Sequence, residues 1–283
     1  MAEQTVLVTG ATDGLGESVA TELARAGATV LVHGRDDGRL ARTLDGIRET
    51  TGSEAARSYR ADFSSLDEVG GMADWILERE RRLDALVANA GIGVTLPGDG
   101  RRMESRDGHE LRFAVNYLAH FALIRGLLAL IMDSAPARIV NVSSAGQAPI
   151  DFDDVMLERG YNGVQAYCQS KLAQVMLTLD LAEESGEAGV TANCLHPATY
   201  MPTKMVTHAG VSPANPLERG VHATVRLVGD PELDDVTGRY FDGESEARAH
   251  PQAYDPGARR RLRELSERLA AGALSRGGRA RQG

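Results

Sequence analysis

Thr5-Val6-Leu7-Val8-Thr9-Gly10-Ala11-Thr12-Asp13-Gly14-Leu15-Gly16 is the stretch whose reading decides the fold. An unbroken run of β-branched and aliphatic residues is what a strand covered on both faces looks like. The glycines at 10, 14 and 16 follow it, and a helical pattern over residues 14–26 starts within them and ends at Gly27. Glycines at such a turn let the backbone reverse sharply, let a pyrophosphate approach, and let the helix pack on the sheet. The helix N-terminus then favours the anion. The spacing is Gly-x-x-x-Gly-x-Gly rather than Gly-x-Gly-x-x-Gly. A tight strand–helix turn alone would explain three glycines, but this trio sits where dinucleotide binding requires it, between first strand and first helix.

Outward from this turn, short apolar runs alternate with longer helical patterns. Strands are predicted over 28–33, 55–61, 83–89, 138–143, 190–196 and 237–241, and helices over 36–49, 65–81, 107–134, 164–185 and 216–228. Asp36 is placed to cap its helix, and Ser65 with Glu68 forms a capping box. Such alternation implies a parallel sheet with right-handed crossovers. The expectation is one α/β domain over 1–271, a Rossmann-type doubly wound parallel sheet of about seven strands with helices on both faces. Leu262, Leu265 and Leu269 mark a terminal amphipathic helix over 259–269, and the Gly/Arg-rich residues 272–283 are expected to be a loose tail.

The chain has 283 residues and a formal net charge of −9, with 42% hydrophobic and 25% charged residues. This composition is globular, and its acidity argues against nucleic acid or an anionic membrane as partner. Cys168 and Cys194 offer neither a disulfide framework nor metal-ligand spacing, so no metal is predicted. The N-terminus lacks a basic n-region, and the greasiest stretch, residues 121–132, is interrupted by Arg125. A cytoplasmic enzyme with no membrane span is expected. Of 31 basic residues only Lys171 and Lys204 are lysines, which makes each worth inspecting.

Further motifs follow in order: Asn89-Ala90-Gly91 at the end of the fourth strand, Asn116 inside the long helix, Ile139-Val140-Asn141-Val142-Ser143-Ser144 along the fifth strand, and Tyr167-Cys168-Gln169-Ser170-Lys171. Tyr167 and Lys171, four apart on a helix, share a face. A free tyrosine titrates near ~10, too high for a base at neutrality. A nearby ammonium stabilises the phenolate and moves it toward the useful range.

Together these motifs resemble the short-chain dehydrogenase/reductase family over about residues 4–242. The resemblance implies that Ser144 polarises a substrate carbonyl, Tyr167 exchanges the proton, Lys171 tunes Tyr167 and holds the nicotinamide ribose, and Asn116 positions a relay water. Ser144, the second serine of the pair, aligns with the family's catalytic serine, leaving Ser143 as a strand-end neighbour. The implied cofactor cradle comprises Gly10, Thr12, Asp13, Gly14, Leu15 and Gly16, then Asp62, Phe63, Asn89, Ala90 and Gly91, together with Tyr167 and Lys171. Asp62 either contacts adenine or caps the next helix. After the sixth strand, Pro197, Ala198 and Thr199 stand where the family usually has Pro-Gly, and Pro202 stands at the usual downstream threonine. That departure leaves the carboxamide and pyrophosphate contacts open.

At the end of the second strand, an acid would bind a ribose 2′-hydroxyl and an arginine a 2′-phosphate. Arg35 is placed at the phosphate, with Arg39 assisting and Asp36 one step too late. NADP(H) is therefore favoured over NAD(H). The interval from Ser144 to Tyr167 is long and resembles the retinol-dehydrogenase-like branch and bacterial polyketide side-chain ketoreductases. The insert over 147–162 and the segment 198–213 are expected to wall the substrate site, with Phe152, Tyr161, Tyr200, Met201 and Met205 suiting a bulky hydrophobic carbonyl or alcohol. A homo-oligomer through the helices around 107–134 and 164–185 is a further expectation. The alternatives are a dinucleotide-binding sensor or scaffold without turnover, and an epimerase or dehydratase on the same fold.

Overall fold

Strand β1 (Thr5–Val8) lies inside the sheet because all four of its residues are buried. In the computed structural model, which describes residues 1, 3–95 and 101–277, it pairs in parallel with β2 (Thr29–Gly34) on one side and β4 (Ala85–Ala88) on the other. Beyond these lie β3 (Arg57–Arg60), β5 (Ala137–Val142), β6 (Val190–His196) and β7 (Tyr240–Asp242), in the order β3-β2-β1-β4-β5-β6-β7-β8. The chain runs outward from β1 to β3, then crosses back to β4. This reversal opens a crevice at the carboxyl ends of β1 and β4, where ligands bind in open α/β sheets. An eighth strand, β8 (Ser245–Ala247), was not expected; it returns antiparallel to β7 through a turn at Gly243, whose φ is +61°. Ser-Glu-Ala has no apolar pattern to betray it.

Helices α1 (Gly14–Arg25), α2 (Asp37–Thr51) and, later in the chain, residues 217–229 cover one face. The other face carries α3 (Leu66–Arg79), α4 (Ala119–Asp133), α5 (Gly163–Ser185) and the terminal helix over residues 256–277. Between them in the chain come α6 (Lys204–His208) and α7 (Leu217–Gly229), and the terminal helix is α8 (Pro256–Gly277). The Asp36 cap forms, its Oδ1 accepting from Arg39 N at 2.8 Å. Of the capping box only one half forms, the Ser65 side chain accepting from Glu68 N at 3.4 Å, while the Glu68 carboxylate accepts from Asp62 N and Ser65 N donates to Asp62 O.

Two helices have bounds other than those expected. The helix predicted over 107–134 starts later, because Gly108 at φ +80° belongs to a turn closed by a Glu104–Glu110 bridge. Its first part, Phe113–Leu118, is a π-helix that leads into α4. The apolar stretch from Phe113 to Asp133 is 21 residues, long enough by length and composition to cross a membrane, with 67% of its most apolar window buried inside the protein. The terminal helix runs past residue 271 to Gly277; residues 278–283 of the expected tail lie outside the described residues. It packs on α3, α4 and α5, and the Tyr117 and Ser266 hydroxyls meet at 2.8 Å. Only Ala129, Met132 and Asp133 of α4 are exposed, so most of one expected pairing helix is covered by its own chain.

Two buried histidines tie the strand ends together. Gly10 N donates to His33 Nδ1 at 3.0 Å, so the proton sits on Nε2, which donates to Ala61 O at 3.1 Å. His120 Nδ1 donates to Asn116 O at 2.9 Å, leaving Nε2 to accept from Thr9 Oγ1 at 2.9 Å. Phe63 stacks on His33 at 4.2 Å and meets His120 edge-on at 5.2 Å. Desolvation holds both rings neutral, with His33 lowered to about 4 and His120 to about 3.

A histidine lowered in the folded state is protonated first in the unfolded chain. Its stabilisation is therefore present above ~6.5 and is lost as pH falls toward the folded value. His33 alone contributes about 3 kcal/mol by this linkage. Urea unfolding at pH values between ~6.5 and ~4.5 should show His33→Gln reducing the slope of stability against pH by close to one proton. An unchanged slope would mean that His33 is not held neutral.

Candidate active site

The fifth strand delivers two serines and the structure separates them. Ser143, buried, donates its hydroxyl to Lys171 O at 2.8 Å and so fastens β5 to α5. Ser144 Oγ accepts from Gly146 N at 3.0 Å and hydrogen-bonds the Tyr167 side chain. The Ser144 carbonyl is itself fixed, accepting from Gln147 Nε2 at 2.9 Å and from Tyr240 Oη at 3.1 Å. The serine nominated from sequence is thus the one that meets Tyr167.

Helix α5 starts at Asn162, whose side chain accepts from Val164 N and Gln165 N, and this cap sets which residues face β5. One turn separates Tyr167 from Lys171, whose Nζ lies 5.8 Å from the phenol ring centroid. Burial raises the Tyr167 hydroxyl, and its hydrogen bond with Ser144 opposes that shift. Burial also brings the Lys171 ammonium down to about 7. Nζ donates to Val142 O at 2.9 Å and to Gln174 Oε1 at 2.8 Å.

Asn116 sits within the π-helical turn, a rare form of helix that is frequent at functional sites. Its Oδ1 accepts from Ile92 N at 2.8 Å, and its Nδ2 donates to Ser170 Oγ at 2.9 Å and Ile92 O at 3.2 Å. A Cβ on Gly91 would stand 3.2 Å from Asn116 Oδ1 and 3.7 Å from Lys171 Nζ, so the end of β4, the π-turn and α5 converge there. Asn116, Ser144, Tyr167 and Lys171 therefore gather around one point at the carboxyl edge of the sheet.

The crevice beside them fits a dinucleotide. Gly10 has φ +64°, and a Cβ there would lie 2.8 Å from Ala90 Cα; a Cβ on Gly16 would run into the Gly10 carbonyl and the Asn89 amide nitrogen. The glycine loop can lie against the end of β4 only without these side chains. Asn89 Nδ2 donates to Thr9 O at 2.9 Å. Asp13, at the N-cap of α1, makes no cap hydrogen bond, which leaves the helix N-terminus to an anion. Its carboxylate instead meets Arg39 Nη2 at 2.6 Å and Lys204 Nζ at 2.7 Å, and these charge partners outweigh desolvation to lower it. Arg35 is exposed beyond β2, and Asp36 is occupied as a helix cap.

Other predicted cradle residues divide into exposed edges and packed interior. Asp62 Oδ1 accepts from Ser64 N at 2.9 Å and Oδ2 lies 3.4 Å from Arg106; the Phe63 ring is buried between His33 and His120. Thr12 packs toward Gly34, Leu15 and Ala90 are buried, and Ala198 joins the core beside Pro197. Thr199 Oγ1 lies 3.0 Å from His196 Nε2. Two residues outside the predicted cradle stand over the loop: Thr203, next to Pro202, whose Cγ2 would be 3.2 Å from a Cβ on Gly14, and Lys204. The rarity of lysine signalled the second.

The expected substrate wall is corrected in part. Met201 is buried and joins the core beneath α7. Phe152 packs on the core under the Arg261 guanidinium, 4.6 Å from its ring. Tyr161 Oη donates to Glu110 Oε1 at 3.0 Å and accepts from Arg112 Nη1 at 2.6 Å, a buried polar clamp that anchors the insert. Arg112 also grips Gly93 O and Val94 O at 2.8 and 2.6 Å. Of the five residues, Tyr200 and Met205 remain exposed, and Met205 lies against Gly93.

The family profile described as short chain dehydrogenase matches residues 4–212. Human retinol dehydrogenase 13 is 36% identical, covering 94% of this chain and 84% of its own length, and a probable oxidoreductase of Streptomyces antibioticus is 36% identical over 86% and 85%. Among solved structures, an uncharacterised protein from Mycobacterium paratuberculosis superposes with a TM-score of 0.76 at 27% identity, covering 95% of this chain and 94% of the other. A short chain dehydrogenase from Shigella flexneri complexed with NADP gives 0.68 at 26% identity, covering 86% and 98%. The convergence at the carboxyl edge and these likenesses agree: the chain belongs to the short-chain dehydrogenase family and is an oxidoreductase of that type.

Proposed function

We propose that the protein transfers hydride between NADP(H) and the carbonyl or alcohol carbon of a bulky, largely apolar small molecule. The observation that carries this reading is the convergence of Ser144, Tyr167 and Lys171 at the crevice edge. The bound nicotinamide supplies the hydride. In the reducing direction Ser144 donates a hydrogen bond to the substrate oxygen and Tyr167 gives that oxygen its proton. Lys171, one turn away, stabilises the phenolate left behind and would help to hold the cofactor's ribose when it is bound. Asn116 holds the main chain at Ile92 and with it the approach of the relay water.

The NADP preference is supported by exposed Arg35 at the end of β2, whose guanidinium matches phosphate geometry, and by Asp36 being engaged as a cap; Arg39, expected to assist, instead holds Asp13. The apolar substrate is supported by exposed Tyr200 and Met205 and by the similarity to proteins named retinol dehydrogenases.

A panel of bulky and small carbonyls and alcohols, each with NADPH, NADH and their oxidised forms, tests the reading directly. Bulky apolar carbonyls should turn over with NADPH, and no turnover with any member would sink it. Tyr167→Phe removes the transferable proton with little change of shape, so kcat should fall by roughly 10² or more while NADPH still binds. Near-normal turnover in that folded variant would contradict the role. For the cofactor, Arg35→Glu should weaken NADPH by far more than NADH in binding titrations, and an unchanged ratio would refute the phosphate site.

A further inference from the structure

Lys171 is 4% exposed, and no acidic side chain pairs with it among the described residues. The titratable groups around it are the Tyr167 phenol on α5, His120 on α4 and His196 on β6; the Lys171 charge helps to hold both histidines neutral, and Asp242 opposes this at His196. What holds its Nζ is a pair of dipoles, the Val142 main-chain carbonyl and the Gln174 side-chain carbonyl. Gln174 lies three residues on, on the same face of α5, and is fully buried.

An ammonium only donates, so it requires the oxygen of the Gln174 amide to face it. That orientation leaves Gln174 Nε2 buried with no hydrogen-bond partner, an arrangement that native interiors rarely tolerate. An aliphatic side chain would fill the position without that penalty. The main chain around it is also secured: Thr178 Oγ1 donates to Gln174 O at 2.8 Å and accepts from Asn141 Nδ2 at 2.9 Å, which locks this turn of α5 to β5. The unsatisfied Nε2 is the consequence of presenting Oε1 to Lys171.

We propose that Gln174 is a positioning residue for the Tyr167/Lys171 pair, its side-chain carbonyl holding the Lys171 ammonium in place beside the phenol and favouring the charged form. The effect on Lys171 stands on this geometry alone; the effect on turnover rests on the hydride-transfer reading. Burial draws the ammonium down to about 7, so at neutral pH a change in its acceptors alters how much of it is charged. Losing Oε1 lowers the titration midpoint, and a carboxylate in its place raises it. With less ammonium the Tyr167 phenolate loses support, so the high-pH limb of turnover moves to lower pH.

Because the chain holds only two lysines, the full-length protein labelled with 13Cε-lysine displays one exposed and one buried lysine side chain. Lys204→Arg assigns the signals. Following the buried resonance against pH, Gln174→Leu should lower its midpoint by about one unit. Gln174→Glu, which has the same shape as the native side chain, should raise it by about one to three units. Turnover profiles should shift in the same directions. Midpoints that stay at the wild-type value in both variants would overturn the proposal, even if kcat falls at every pH. If Gln174→Leu does not fold, the glutamate variant alone decides. If the midpoints move but the wild type turns over no carbonyl or alcohol, Gln174 retains its role toward Lys171 and the hydride-transfer reading fails instead.

Discussion

The Thr9 hydroxyl, fully buried where β1 enters the glycine loop, accepts from Asn89 N at 2.9 Å and Ala90 N at 3.0 Å and donates to His120 Nε2. One side chain thus joins the loop after β1, the end of β4 and the helix that carries Asn116. His120 passes the constraint to the Asn116 carbonyl, and Asn116 passes it to Ile92. In a buried, low-dielectric setting each of these bonds is strong and each broken partner is costly. The crevice and the reacting groups are consequently held in one register, which is what alignment of a cofactor with a substrate demands.

The same economy of charge governs the reacting groups. Tyr167 is raised by desolvation and Lys171 is lowered by it, so burial favours the neutral form of each. An unperturbed phenol and an unperturbed ammonium both titrate far above neutrality. In the proposed reaction, proton exchange near neutrality depends on Lys171 remaining charged beside Tyr167 against the cost of its burial. By contrast, the exposed lysine, Lys204, pairs with Asp13 across the glycine loop, where salt and solvent weaken it. One lysine lies in the interior beside Tyr167, while the other spans the cleft at its surface.

Much of this was legible in sequence because it rests on local rules. The strand–glycine–helix turn, the Asp36 and Ser65 caps and the i,i+4 pairing of Tyr167 with Lys171 each follow from spacing. The choice of Ser144 over Ser143 came from resemblance; in the structure the Ser143 hydroxyl is taken by the Lys171 carbonyl. What escaped depended on long-range partners. Tyr161 reads as an apolar wall residue until Glu110 and Arg112, some fifty positions earlier, are brought to its hydroxyl. Met201 reads as lid surface until α7 covers it, and β8 is too short and polar to carry a pattern. Gln174 was invisible because nothing in Lys-Leu-Ala-Gln tells that the amide oxygen faces the ammonium.

The central claim is direct hydride transfer at the edge where Ser144, Tyr167 and Lys171 meet. Incubating the protein with NADPH deuterated at nicotinamide C4, one face at a time, and a bulky apolar carbonyl tests it whatever the natural substrate is. The account predicts that one of the two labelled forms passes its deuterium to the carbonyl carbon, giving an alcohol one mass unit heavier, and that Tyr167→Phe slows this transfer by roughly 10² or more. Product alcohol that carries no deuterium from either form, or transfer at the wild-type rate by the Tyr167→Phe protein, would contradict it.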